Sequence, residues 1–131
     1  TGLVEQYRTF YQQQQNPETE NFLLQRIEND ESVIFVAQIA EKLVGFTQCY
    51  PSFSTVSVST VWLLNDLFVE PEYRGQGIAS QLMQAAEDAA RNVGASRIWL
   101  RTAHSNTTAQ ALYESRGWKV DEVFRRYDLI F

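Results

Sequence analysis

The chain has one cysteine, Cys49, and one histidine, His104. A lone cysteine cannot close an internal disulfide, and it suits a reducing compartment as a small buried residue of a strand. No histidine or basic residue lies near Cys49 in sequence, so it does not read as a reactive thiol. A single histidine without cysteine or histidine partners builds no metal site, so no metal is expected and His104 reads as a loop residue. No apolar run approaches the roughly 18 residues of a membrane span. Thr1 to Gln15 carries Arg8 and many glutamines but no apolar stretch, so neither a signal peptide nor a membrane partner is expected, and the location expected is cytoplasmic. Lysine and arginine never cluster, and the net charge is −5, which argues against a nucleic-acid partner. Repeats, low-complexity tracts and linkers are missing too, so the 131 residues predict one domain over 1–131.

What is there is unevenly placed. Residues 1–72 hold ten Asp and Glu against three Lys and Arg, whereas residues 73–131 hold six against eight. Such a split suits an anionic ligand in the second half and a cationic one in the first. Leu3, Val4, Tyr7, Phe10 and Tyr11 recur at helical spacing until Asn16-Pro17 breaks the pattern. Phe22 to Ile27 suggests a second short helix. Ser32–Ala40 and Leu43–Tyr50 read as strands joined at Glu41-Lys42, Pro51–Thr55 as a loop, and Ser57–Val69 as a long central strand. The clearest helix carries Ala79, Leu82, Met83, Ala86, Ala89, Ala90 and Val93 on one stripe and is stopped by Gly94. Arg97–Thr102 then reads as a strand, Asn106–Arg116 as a helix, and Val123–Phe131 as a final strand. Trp62 and Trp99 are expected in the core. This order predicts an α/β fold with a mixed sheet.

The most informative stretch runs from Leu67 to Ala79, where a strand ends near Val69 and a helix begins near Gly77. Gly75 and Gly77 let backbone approach a bulky anion and adopt positive φ. The helix offers its first N–H groups and the positive end of its dipole, which together suit a pyrophosphate. A Walker loop would need Gly-Lys-Ser/Thr, and there is no lysine here. A dinucleotide fingerprint would place glycine where Ser80 stands, and an acidic residue where Arg97 and Arg101 lie.

Arg74-Gly75-Gln76-Gly77-Ile78-Ala79 resembles the Arg/Gln-x-x-Gly-x-Gly/Ala signature of the GNAT superfamily of N-acetyltransferases, and Asn65-Asp66-Leu67-Phe68-Val69 resembles the strand that precedes it there. Asn106-Thr107-Thr108-Ala109-Gln110-Ala111-Leu112-Tyr113, running on to Gly117-Trp118, is similar to a second segment of that superfamily. The likeness spans about Val33 to Phe131, and the pattern is nearest the small histone- and polyamine-acetylating group.

The resemblance implies an acyl-CoA N-acyltransferase fold, a central mixed sheet flanked by helices. The family usually has a strand before its opening helix. Because Leu3–Tyr11 already reads as that helix, the first strand is expected to be absent from this chain. Acetyl-coenzyme A is the implied co-substrate. The backbone of Leu67, Phe68 and Val69 would meet its pantetheine. Arg74, Gly75, Gln76, Gly77, Ile78 and Ala79 would cradle the pyrophosphate, and Asn106 would bond the pantetheine arm. Tyr113 would stand beside the sulfur as general acid. Many relatives have a glutamate where Asn65 stands, so the base is either water or Asp66, which strand alternation points to the opposite face from Asn65. The implied acceptor is a primary amine, namely a small cationic amine, a polyamine or a lysine side chain, flanked by Glu18, Glu20, Glu28, Asp30 and Glu31. A homodimer through Val123, Tyr127, Leu129 and Phe131 is also expected. A non-enzymatic acyl-coenzyme A sensor of the same fold is the alternative.

Overall fold

The computed structural model describes residues Thr1–Phe131. The chain divides into two compact units, Thr1–Arg101 and Thr102–Phe131.

The first unit opens with α1 (Gly2–Phe10) and α2 (Thr19–Glu28). A sheet follows in the order β1-β2-β3-β4, made of Val33–Ile39, Lys42–Ser54, Ser59–Val69 and Arg97–Trp99. The first three strands are antiparallel neighbours and β4 lies parallel to β3, so the sheet is mixed, as the order of elements predicts. A single 3-10 turn, Pro71–Tyr73, leads from β3 toward α3 (Ile78–Asn92).

The core sits where α3 covers the sheet. Leu82, Met83, Ala86 and Ala90 of the sequence stripe are buried, as are Val44, Phe46, Cys49, Leu64 and Phe68 of the sheet, whose Phe46 and Phe68 rings meet Tyr7 of α1. Met83 is fully enclosed, so its truncation to alanine would cost about 2–5 kcal/mol. Gly45 makes the close packing possible, since a Cβ there would lie 2.9 Å from the Phe68 carbonyl oxygen and 3.3 Å from Leu82. Val93, expected on the buried stripe, is the exposed C-cap instead.

Three strand expectations are corrected. Pro51 is not in a loop but inside β2, opposite Trp62. Pairing with β1 has already ended at Cys49, so Pro51 lies on an edge where its missing N–H costs no ladder bond. The strand expected over Arg97–Thr102 stops at Trp99, which is 39% exposed rather than core.

The third correction lies in the second unit, which holds α4 (Thr107–Ser115) and no strand. Val123–Phe131 forms no strand. The Asp121 carboxylate accepts from the amides of Val123 and Phe124, and Arg126 pairs with Asp128 at 2.8 Å. Branched and aromatic residues favour a strand only when a neighbour supplies the ladder. No helix in either unit is long and apolar enough to cross a membrane.

Candidate active site

The site residues of the first unit converge on the end of β3. That strand carries one residue more than β2 at Asn65, because Gln48 pairs with Asp66 while the next residue, Cys49, pairs with Leu64. Such a bulge breaks the alternation of side chains. Asn65 and Asp66 consequently line the same cavity, which corrects the expectation that they face opposite ways.

On the other edge of β3, pairing with β4 covers only Val61–Leu63. From Leu64 to Val69 the strand runs on beyond β4, so the edge predicted to meet pantetheine, Leu67–Val69, lies where the parallel ladder has ended. Phe68 and Val69 are buried and Leu67 is half-buried.

Below the strand end, Glu70 fixes the turn. Its amide donates to the Val44 carbonyl at 2.8 Å, and its carboxylate takes Lys42 at 3.0 Å and Gln6 at 3.1 Å. Hydrogen bonds from Lys42 and then Gln6 hold the Glu70 carboxyl below the usual carboxylate range. Arg74 closes the turn from the other end. Its Nε donates to the Val69 carbonyl at 2.8 Å, and its guanidinium lies over the rings of Phe68 and Phe10.

Gly75 and Gly77 then take φ of 78° and 80°. A Cβ on either would meet no heavy atom within 4 Å, so conformation rather than crowding requires glycine, and open space lies beside the backbone. Gly75, Gln76 and Gly77 are exposed, and Ile78 and Ala79 form the first turn of α3. No side chain caps that helix. A fifteen-residue helix thus presents its N-terminus at an open glycine turn, which suits a phosphate group.

The cavity beside the bulge measures about 640 Å³ and lies between α1, α2 and the sheet. Its lining includes Tyr7, Arg26, Gln48, Tyr50, Asn65 and Asp66. Asp66 accepts from the Gln48 amide at 2.8 Å and the Asn65 amide at 3.1 Å. Gln48 also donates to the Tyr50 hydroxyl at 3.0 Å, and the Tyr7 hydroxyl donates to the Asn65 carbonyl at 3.5 Å. Burial first, and the Asp66 charge second, push the Tyr7 and Tyr50 hydroxyls above the usual phenol pKa, so both stay protonated. Sequence reasoning missed Tyr7, Gln48 and Tyr50. The available signal was Gln48 itself, a polar residue inside an otherwise apolar strand.

In the second unit, the Asn106 Oδ1 caps α4 by accepting from the Ala109 amide at 3.3 Å. Tyr113 is half-buried, with its ring 6.3 Å from that of Trp118. The Trp118 and Gly117 amides close the helix on the carbonyls of Tyr113 and Glu114, with Gly117 at φ 89°.

Known proteins resemble this chain. The acetyltransferase (GNAT) family model matches residues 2–118. An N-acetyltransferase of Bacillus subtilis (strain 168), YhfO, is 44% identical over 128 residues, covering 97% of this chain and 86% of that protein. The crystal structure of a probable acetyltransferase superposes with a TM-score of 0.92 at 41% identity, covering 99% of this chain and 88% of that one. A thialysine N-epsilon-acetyltransferase of Bos taurus is 36% identical over 75 residues, covering 57% of this chain and 44% of that protein. With a family match over most of its length and a relative this similar, the chain belongs to the GNAT family of acetyltransferases.

Proposed function

We propose that the chain, acting as one catalytic domain over 1–131, transfers the acetyl group of acetyl-coenzyme A to a small cationic primary amine. The observation that carries this reading is the cavity at the bulge, where a carboxylate with only neutral hydrogen-bond donors lies on the strand that leads into the glycine turn. Residues Arg74–Ala79 would hold the pyrophosphate by backbone N–H groups, and the Leu67–Val69 edge and Asn106 would bond the pantetheine. The bound co-substrate supplies an activated acyl group.

An aliphatic ammonium has a reference pKa near 10.4, so delivering the free amine at neutral pH costs about 4 kcal/mol. Asp66 would attract the ammonium and take or relay its proton through water. Tyr113 would protonate the departing sulfur. An acceptor amine agrees with the bovine relative, a thialysine N-epsilon-acetyltransferase. Among the acceptors expected of the histone- and polyamine-acetylating group, a cavity of about 640 Å³ favours a small amine over a protein side chain. Of the acidic residues in the first half, only Glu18 joins Asp66 in the lining. The exposed Val123, Tyr127, Leu129 and Phe131 support a homodimer, to be checked by light scattering across concentration.

The test is a screen of primary amines with acetyl-coenzyme A, following release of the thiol, beside thermal melts. Ligand at 100 times its dissociation constant should add about 2.7 kcal/mol of stability. A melt that is unmoved by millimolar acetyl-coenzyme A, together with no thiol release, would overturn the reading. A melt shift without turnover on any amine would favour the sensor.

A further inference from the structure

The cavity beside Asp66 carries charge of both signs, because Arg8 and Arg26 line it as well. Each guanidinium is anchored on one side and keeps donors in hand. Arg26 lies over the Phe22 ring at 4.9 Å and meets the Glu31 carboxylate through Nε at 2.6 Å. That ion pair takes up the Nε edge of Arg26 and leaves its Nη donors for another acceptor. Arg8 donates from Nη2 to the Gln14 carbonyl at 2.9 Å. Its Nε stands 3.7 Å from the Glu5 carboxylate. A guanidinium has five N–H donors, so one carbonyl or one carboxylate does not exhaust it. Asp66, in contrast, has no cation of its own; the amides of Gln48 and Asn65 serve it.

We propose that this cavity selects an acceptor bearing its own carboxylate, a small amino acid whose ammonium meets Asp66 and whose carboxylate meets Arg26 and Arg8. The proposal rests on the amine-acetyltransferase reading and narrows its substrate class. A carboxylate matches the planar fork of a guanidinium in shape as well as charge. A diamine of the same length would bring a second ammonium against two guanidiniums, an arrangement that like charges oppose. A plain alkylamine would satisfy Asp66 but offer the two guanidiniums no acceptor. The volume suits a small molecule. The acidic residues that favour a polycation in sequence are dispersed: Glu20 lines a different cavity and Glu31 is spent on Arg26.

The experiment compares acceptors that differ only at the far end: the ω-amino acids from glycine to 6-aminohexanoate, and the diamines and monoamines of matched length. Thiol release gives kcat/KM for each. Calorimetry on the complex with coenzyme A gives acceptor binding without turnover. At its best chain length the amino acid should exceed the matched diamine by about tenfold or more in both measurements, as one added charge-assisted pair would give. Arg26→Gln should reduce that ratio toward one through KM, and Arg26→Glu should invert it. Thermal melts would show that both variants fold. Thiol release in which diamines equal or exceed amino acids overturns this proposal and leaves the acetyltransferase reading standing. A preference for amino acids that survives Arg26→Glu also overturns it. No thiol release from any acceptor, with no melt shift by acetyl-coenzyme A, overturns both.

Discussion

Tyr113 and Gly77 represent two kinds of site residue, one defined by an atom it carries and one by an atom it lacks. A free thiol has a pKa near 8.5 and a phenol near 10, so complete proton transfer from tyrosine to a thiolate is slightly uphill in water. A hydrogen bond that strengthens as charge builds on the sulfur would still lower the barrier, so in the proposed role the hydroxyl would act chiefly in the transition state. Tyr113→Phe keeps the ring that packs near Trp118 and removes that oxygen. Turnover should fall by about 10²–10⁴-fold while the melting temperature and the affinity for acetyl-coenzyme A hold. A variant turning over at the parent rate would leave Tyr113 a packing aromatic. Gly77, at φ 80° with open space where a Cβ would go, should respond differently. Gly77→Val forces a branched side chain into the left-handed region at a cost of about 1–2 kcal/mol and places its methyls in the phosphate cradle. The KM for acetyl-coenzyme A should rise well beyond what that strain explains. Gly45→Ala is the contrasting case. Its Cβ would strike the Phe68 carbonyl at 2.9 Å, so stability should fall by about 1–3 kcal/mol with the turn untouched.

The helices show why some elements are legible in sequence and others are not. Gly94 and Gly117 both end helices with positive φ, and each is followed by the paired amide bonds of a Schellman close. Gln12 and Asp30 close α1 and α2 in the same way at φ 59° and 54°. Glycine announces that geometry, whereas glutamine and aspartate do not. The glycine turn was readable because positive φ at Gly75 and Gly77 and a helix start are local properties. The cavity beside the bulge was not, because the bulge at Asn65 is a mismatch between two strands and neither strand records it alone. The same reasoning covers Pro51, which looks like a breaker until its pairing with β1 is seen to have ended at Cys49. The Asn106 Oδ1 caps α4, and in the proposed site its amide nitrogen would be the part that bonds pantetheine. Asn106→Ser keeps a capping oxygen and loses the amide donor. Its melting temperature should stay within a degree or two, while the KM for acetyl-coenzyme A rises about three- to tenfold, the worth of one neutral hydrogen bond. A large drop in melting temperature with KM unchanged would make Asn106 a cap alone.

At the scale of the whole molecule, the groups packed around Asp66 should govern stability at high pH. Burial, and then the Asp66 charge, push the Cys49 thiol up to about 12 from an ordinary value of 9.0. Tyr7 and Tyr50 are raised above their usual 10.0 by the same two causes in the same order. All three are neutral in the fold and ionise more readily once unfolded. Above pH 9, then, the unfolded chain holds fewer protons than the native one, and the slope of unfolding free energy against pH is negative. The contribution of Cys49 is fully present below pH 9 and is lost as pH rises toward about 12, with the tyrosines adding to the loss from pH 10 upward. Each proton contributes a slope of about 1.4 kcal/mol per pH unit within its window. Glu70 acts at the other end of the scale. Its carboxyl is lowered by Lys42 and Gln6, so its contribution is present above the ordinary carboxylate value of 4.5 and is lost as pH falls through the depressed one. Urea midpoints should therefore form a plateau between about pH 5 and 9 with a steep alkaline edge. Asp66→Asn removes one of the two causes shared by the thiol and both phenols, so the alkaline loss should begin at the same pH and be smaller in total. The Cys49 thiol of the native protein should meanwhile resist a thiol reagent until the alkaline edge is reached. An alkaline loss that Asp66→Asn leaves undiminished, or a thiol that reacts freely at pH 8, would show that Asp66 and Cys49 do not share the environment described for them.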